Sequence, residues 1–344
     1  MLGTFLDKLV GIFDRRFLII YWSPTLILFS MSVGLVAALV GPTPALDWWT
    51  HLSGTEQVLL AGGILVSITL FAYLLGALTS PLVRLYEGYW PNSWLTSLFS
   101  AHQRKRLTTL EKGLAATNPA QGEPTPQQQR AYDRLYFTRY QRFPRDTALV
   151  KPTRLGNLLA AAEEYPAQLY QLDAVLWWPR LTPLLPEDFR TQIDGAFTPV
   201  LALLNLSLVF MFLAFGGAIT ILLSSLSWWW WGLASLVGGL LLSWACYMAA
   251  VTQALDYGDL IRVAFDLYRH DILKQMGIAV PDNLISERLL WTALTNWLYY
   301  YTPPWDQPDI VAHMPQLAEP FYYDTNQMSL PKPPRKRGQP PLQM

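Results

Sequence analysis

A single cysteine, Cys246, rules out an intramolecular disulfide and a thiolate zinc cluster, and its place inside an apolar run suits a small packed hydrophobe. The four histidines (His51, His102, His270, His313) lie far apart, with no metal-ligand spacing among them. No His-Glu-x-x-His, phosphate-cradling Gly-Lys-Ser/Thr loop, dinucleotide fingerprint or nucleophile elbow occurs. The sequence therefore holds no catalytic, cofactor-binding or metal-binding motif, and no enzyme, cofactor or bound metal is expected. Charge is scarce as well, 15% of residues where soluble domains run near ~25%. The net charge is zero, which removes the electrostatic case for nucleic acid.

What is present is apolar. The hydrophobic fraction is 52%, and 15 tryptophans gather near the ends of apolar runs, as amphipathic rings do at a bilayer interface. Four stretches hold no Asp, Glu, Lys or Arg: Phe17–Val40, Gln57–Thr79, Phe197–Leu222 and Trp228–Val251. Each reaches the roughly 20 helical residues that cross a bilayer core. The expected fold is all-α, four transmembrane helices arranged as two hairpins, and the lipid bilayer is the first partner.

The basic residues set the expected orientation. All 25 lie before the first span (Lys8, Arg15, Arg16), between the second and third (Arg84 to Arg190) or after the fourth (Arg262 to Arg337). Positive charge stays on the cytoplasmic face, so both termini and the central segment are expected inside and the loops 41–56 and 223–227 outside. Gly41-Pro42-Thr43-Pro44 is expected to stop the first helix, with Trp48-Trp49 and Trp228 to Trp231 at the outer headgroups. The first span is too long for a cleaved signal sequence.

The chain divides accordingly: 1–16 an interfacial amphipathic helix, 17–79 the first hairpin, 80–196 a cytoplasmic helical segment, 197–251 the second hairpin, 252–328 cytoplasmic helices and 329–344 a disordered tail. Ala115–Gln129, rich in Ala, Pro, Gln, Gly and Thr, is expected to be a flexible loop. The second helix should end near Ser80-Pro81. Leu155, Leu158, Leu159, Ala162 and Tyr165 share one helical face and Arg154, Asn157, Ala161 and Glu164 the other, an amphipathic helix that Pro166 would end. A Trp178-Pro179-Arg180 turn follows. Beyond the fourth span, Leu260, Val263, Ala264, Leu267 and Ile272 continue an apolar face to about Met276, with Asp259–Arg262, Asp266–Arg269 and Asp271–Lys274 as i,i+3 pairs. A further helix is expected from about Asn283 to Tyr300. Asp256 and Asp259, one turn apart, are too few ligands for a cation site.

The string Pro152-Thr-Arg-Leu-Gly-Asn157, then Ala162-Glu163, Tyr165-Pro166, Tyr170, Leu172-Asp173 and Trp178-Pro179-Arg180-Leu181, resembles a pattern in a family of bacterial multi-pass membrane proteins to which no activity is assigned. That resemblance covers roughly thirty residues and implies a bacterial plasma (inner) membrane. In topology alone the chain is similar to the bestrophin anion channels, which have a short N-terminal helix, two transmembrane hairpins and cytoplasmic helices. No bestrophin pore motif maps onto these residues.

Three functions follow in order of support. A non-catalytic scaffold or regulatory subunit would use Arg154, Asn157, Glu164, Asp173 and Arg180 to dock a cytoplasmic protein partner. An oligomeric ion channel would line its pore with Asn205, Gly216, Gly217, Gly238 and Gly239, residues that more often serve helix packing. A lipid-directed enzyme would rest on Asp173, Arg180 and Glu187. The spans hold no ionisable carboxylate, Lys, Arg or His, which argues against coupled transport. A homo-oligomer fits either of the first two.

Overall fold

The computed structural model describes residues 14–40, 42–91, 93–118, 125–223 and 229–301. The expected N-terminal helix before Asp14 and the tail from Ser329 lie outside them. Among the described residues the secondary structure is helical, without strands. A turn of α-helix (Arg15–Phe17) and a π-helical turn (Leu18–Trp22) lead into α1 (Ser23–Val40). Next come α2 (Pro42–His51), α3 (Gly54–Ala77), α4 (Thr79–Glu87), α5 (Trp94–Thr117) and α6 (Pro126–Arg142). The order closes with α7 (Arg154–Tyr170), α8 (Ala174–Leu181), α9 (Glu187–Leu223), α10 (Trp229–Gln275) and α11 (Leu284–Tyr300). Among the described residues four helical stretches are long and apolar enough to cross a membrane: Arg15–Leu35, Gly54–Ala77, Glu187–Ile219 and Gly232–Gln275.

Local chemistry explains where several expectations shift. The loop expected after Val40 contains α2, since Pro42 sits at the helix start, where its missing N–H is no loss. Ser53 and Glu56 then form a reciprocal capping box that starts α3. The helix does break near Pro81, at Leu78, but α4 begins at once with Pro81 in its first turn. Helices take both described ends of the segment expected to be a loop. Ala115–Thr117 complete α5, and Thr125 with Gln128 forms a second capping box ahead of Pro126.

The chain forms two compact units. The first comprises residues 1–162 and 191–260. One core of this unit joins Leu155, Leu158 and Leu159 of α7 to Val200 and Leu204 of α9 and Ala250, Val251 and Ala254 of α10. A second cluster packs Trp22 against Ile68 and Ala72 of α3, and a third joins Leu107 of α5 to Phe143 and Val150. From Leu155 to Ala162, α7 is buried on every side, Asn157 included. The two-faced helix expected there is therefore corrected: surrounding helices cover its polar face too.

The second unit comprises residues 163–190 and 261–344. Pro166 lies inside α7 rather than ending it; the helix runs four residues further and closes where Gln171 turns to φ 58°. A proline removes one donor and kinks a helix without always ending it. Likewise Trp178-Pro179-Arg180 is part of α8, capped by Asp173 accepting from the Leu176 N–H. Helix α10 runs on to Gln275, close to the expected Met276. Its inward face is Ile261, Ala264, Phe265, Ile272 and Leu273, while Val263 and Leu267 are exposed, which corrects the apolar face expected from the sequence. Asn283 caps α11 by accepting from Ser286 N–H.

Candidate functional site

The motif Pro152–Asn157 lies at the start of α7 in the first unit, and its residues hold a tight junction. Asn157 is 1% exposed. Its Nδ2 donates to the carbonyls of Lys151 (3.0 Å) and Thr153 (2.8 Å), and its Oδ1 accepts from the Lys151 N–H (2.7 Å). One side chain thus closes the turn that enters the helix. Gly156 is required by contact, because a Cβ there would lie 1.9 Å from the Glu87 carbonyl oxygen. Gly88, at φ 86° just after α4, also packs on this motif, since a Cβ there would lie 2.7 Å from Pro152 Cγ.

The helix start also needs partners for its orphan donors. The Tyr247 hydroxyl, from α10, accepts from the N–H groups of Arg154 (3.1 Å) and Leu155 (3.3 Å). Beside it, Tyr86 donates to Ser207 (3.0 Å), and Ser243 donates to the Ser207 carbonyl (2.8 Å). Ser207 and Tyr247 were not singled out from the sequence, and Tyr86 was read only as an interfacial aromatic; a tyrosine or serine in an apolar run carries no signal of its partner. Burial pushes the pKa of Glu87 up against the opposing charges of Lys151 and Arg84.

A cleft of about 530 Å³ opens beside this junction, between α4, α5, the start of α7, α9 and α10. Met211, Leu240, Trp244 and Met248 make an apolar wall, and His102, Gln103 and Arg154 line its polar part. Arg154 also reaches Met248 Sδ, and Arg106 holds the Gln103 side chain at 2.9 Å.

The second unit holds an ionic cluster. Glu287 is 5% exposed and receives Arg269 Nε at 2.7 Å, Trp291 Nε1 at 3.2 Å and a 3.0 Å contact from His270 Nε2. Burial would raise its pKa; the bonds from Arg269 and Trp291 and the charges of Arg269 and His270 outweigh that and hold it below the usual carboxylate value. Arg269 also sits 3.9 Å over the Tyr170 ring. Tyr165 and Tyr170 both donate to Asp266. Burial, together with that bond, pushes the Tyr170 phenol up to about 12. The Asp266–Arg269 pair expected from spacing is thus replaced by longer-range partners, whereas Asp271–Lys274 forms at 2.8 Å.

The sequence-derived docking set is dispersed. Asn157 is internal, Glu164 accepts from Gln168 (2.6 Å), and Asp173 caps α8 and accepts from Tyr299 (3.0 Å). Arg180 donates to the Leu176 carbonyl and lies over the Trp177 ring. Glu187 begins α9. Of the candidate pore residues, Asn205 donates to the Ile20 carbonyl in the π-helical turn (2.8 Å) and is buried. A Cβ on Gly217 would meet Ser235 Oγ at 2.3 Å, and one on Gly239 the Phe210 carbonyl at 2.8 Å; Gly216 and Gly238 have nothing within 4 Å. Asn205, Gly217 and Gly239 are therefore at helix contacts. Among the described residues no group of three or more His, Cys, Asp or Glu is placed to hold a metal ion. Comparison with protein-family models, curated proteins and solved structures gives no match for this chain.

Proposed function

We propose that this chain is a non-catalytic multi-pass protein of a bacterial plasma membrane, acting as a scaffold or regulatory subunit that presents its second unit to a protein partner in the cytoplasm. The observation that carries this reading is a set of large apolar side chains left exposed in that unit while a group of its charges is turned inward. Its charged groups Glu287, Arg269, His270 and Asp266 are turned onto one another or onto tyrosines. Meanwhile Val175, Leu267, Ile285 and Tyr300 stand 65%, 64%, 71% and 74% exposed. Large exposed apolar side chains suit a surface that meets another molecule.

The orientation rests on the basic residues, absent between Pro42 and Glu56 and abundant from Arg84 to Arg190 and beyond Arg262. The pairings Ser207–Ser243, Phe210–Gly239 and Leu213–Ser235 favour a second hairpin, since one number falls as the other rises. The second reading, an oligomeric ion channel, draws on Gly216 and Gly238, where open space would admit a helix of another copy.

A photoreactive amino acid at Ile285 or Tyr300 in intact cells tests the scaffold. The expected product is a discrete adduct with one other protein, absent when the same group is placed at exposed Gln127. Adducts with this chain alone would replace the scaffold with a homo-oligomer, and no adduct would remove the docking surface.

A further inference from the structure

The cleft of the first unit has the two-part chemistry of an amphiphile site. Its apolar wall is carried by α9 and α10, two of the helices long enough to cross a membrane. On that wall Leu240 is 46% and Trp244 62% exposed, so an alkyl chain can reach it from the lipid side. The polar end carries Arg154 and His102, with Gln103 fixed by Arg106.

Arg154 lines this end, and Arg106, which holds the lining Gln103, lies within reach of the charges of Arg154 and Arg142. Burial and the charges of Arg154 and Arg142 hold the Arg106 pKa below its ordinary value, and no carboxylate contributes to that balance. Among the described residues, none of Arg106, Arg142 and Arg154 forms an ion pair with a carboxylate. Clustered cations without counter-charges are stabilised by an anion, and lipid headgroups supply one at this depth. The volume, about 530 Å³, lies within the ~300–1,000 Å³ of small-molecule sites.

We propose that this cleft holds an anionic glycerophospholipid of the surrounding bilayer, with an acyl chain along Met211, Leu240, Trp244 and Met248 and the phosphate beside Arg154 and its neighbouring guanidiniums. The inference is independent of the scaffold reading, since it concerns the first unit and needs no protein partner.

The test is retention of lipid by the full chain, purified and exchanged into mixed nanodiscs of phosphatidylglycerol and phosphatidylcholine, then read by native mass spectrometry. The parent should keep one phosphatidylglycerol per chain in preference to phosphatidylcholine. Arg154→Gln should weaken that preference about fivefold, the contribution of one basic residue at an anionic lipid surface. Leu240→Trp, which fills the apolar wall and leaves the cations, should reduce retention of both lipids. Thermal unfolding of each variant reports whether it remains folded, and Arg106→Gln replaces Arg154→Gln if the latter does not. Equal retention of the two lipids by the parent, or unchanged retention in folded variants, overturns the proposal. Displacement of the lipid by millimolar inorganic phosphate would mark an anion site without an acyl chain, and would overturn it too.

Discussion

Replacing Asn157 should destabilise the protein more than any other single polar substitution near the start of α7. The side chain makes three hydrogen bonds of 2.7 to 3.0 Å to the backbone of Lys151 and Thr153 while 1% exposed. Each bond contributes about 0.5–1.5 kcal/mol net, so Asn157→Ala should cost about 2–4 kcal/mol. Tryptophan fluorescence during thermal unfolding in detergent would read this as a fall in apparent Tm of at least about 5 °C. Asn157→Asp is the sharper probe because its shape is unchanged. One carboxylate oxygen can still accept from the Lys151 N–H, but the other faces the carbonyls of Lys151 and Thr153, two acceptors with no proton between them. At neutral pH the Asp variant should be at least as unstable as the Ala variant. Those carbonyls and burial raise the folded-state pKa of the new carboxyl, so its folded form holds the proton more tightly and the variant should regain stability as pH falls through that value. An Asp variant that melts like the parent at pH 7 would show that the three bonds do not hold this junction.

The Glu287 cluster predicts a different pH response. Its pKa is depressed in the fold, so its stabilisation is present above the ordinary carboxylate value of 4.5 and lost as pH falls through the depressed one. Glu287→Gln should flatten that acid limb of Tm against pH; a parallel limb would remove Glu287 from the account. In α9 and α10, Gly239→Ala should cost about 1–3 kcal/mol by overpacking against Phe210 and Ala214. Gly238→Ala, with open space, should be nearly silent in the same melt, and equal effects would contradict the contact assignment. For topology, in a background lacking Cys246, a cysteine at Thr50 should react with an impermeant thiol reagent on intact cells and one at Thr117 should not; the reverse pattern would invert the orientation.

The four membrane-length helices were legible because a run without Asp, Glu, Lys or Arg is a property of the chain alone. The extension of α10 to Gln275 was legible for a similar reason, as helical periodicity persists past the apolar run. Facing was less so. Val263 and Leu267 read as core by spacing but are exposed, while Ile261 and Phe265 are buried, because neighbouring helices decide which side of α10 is covered. Asn157 read as solvated for the same reason in reverse. Glu287 was visible only as part of a helix start; its partners Arg269 and His270 lie eighteen and seventeen residues away, with nothing local to join them. Pro166 and Pro179 misled because a proline removes a helical donor and commonly ends a helix, yet surrounding packing can hold a helix through it. The cleft at Arg154 draws on five separated segments, and of its lining residues only Arg154 had been read as a candidate binding residue.

Ion flux from liposomes containing the purified protein tests the scaffold reading against the channel most directly. The account predicts vesicles as tight as protein-free ones, since Asn205, Gly217 and Gly239 lie at helix contacts. Reproducible flux that Gly216→Leu or Gly238→Leu abolishes, with both variants folded and assembled like the parent, would contradict it, because those two positions face open space and their replacement would act only by blocking a pore.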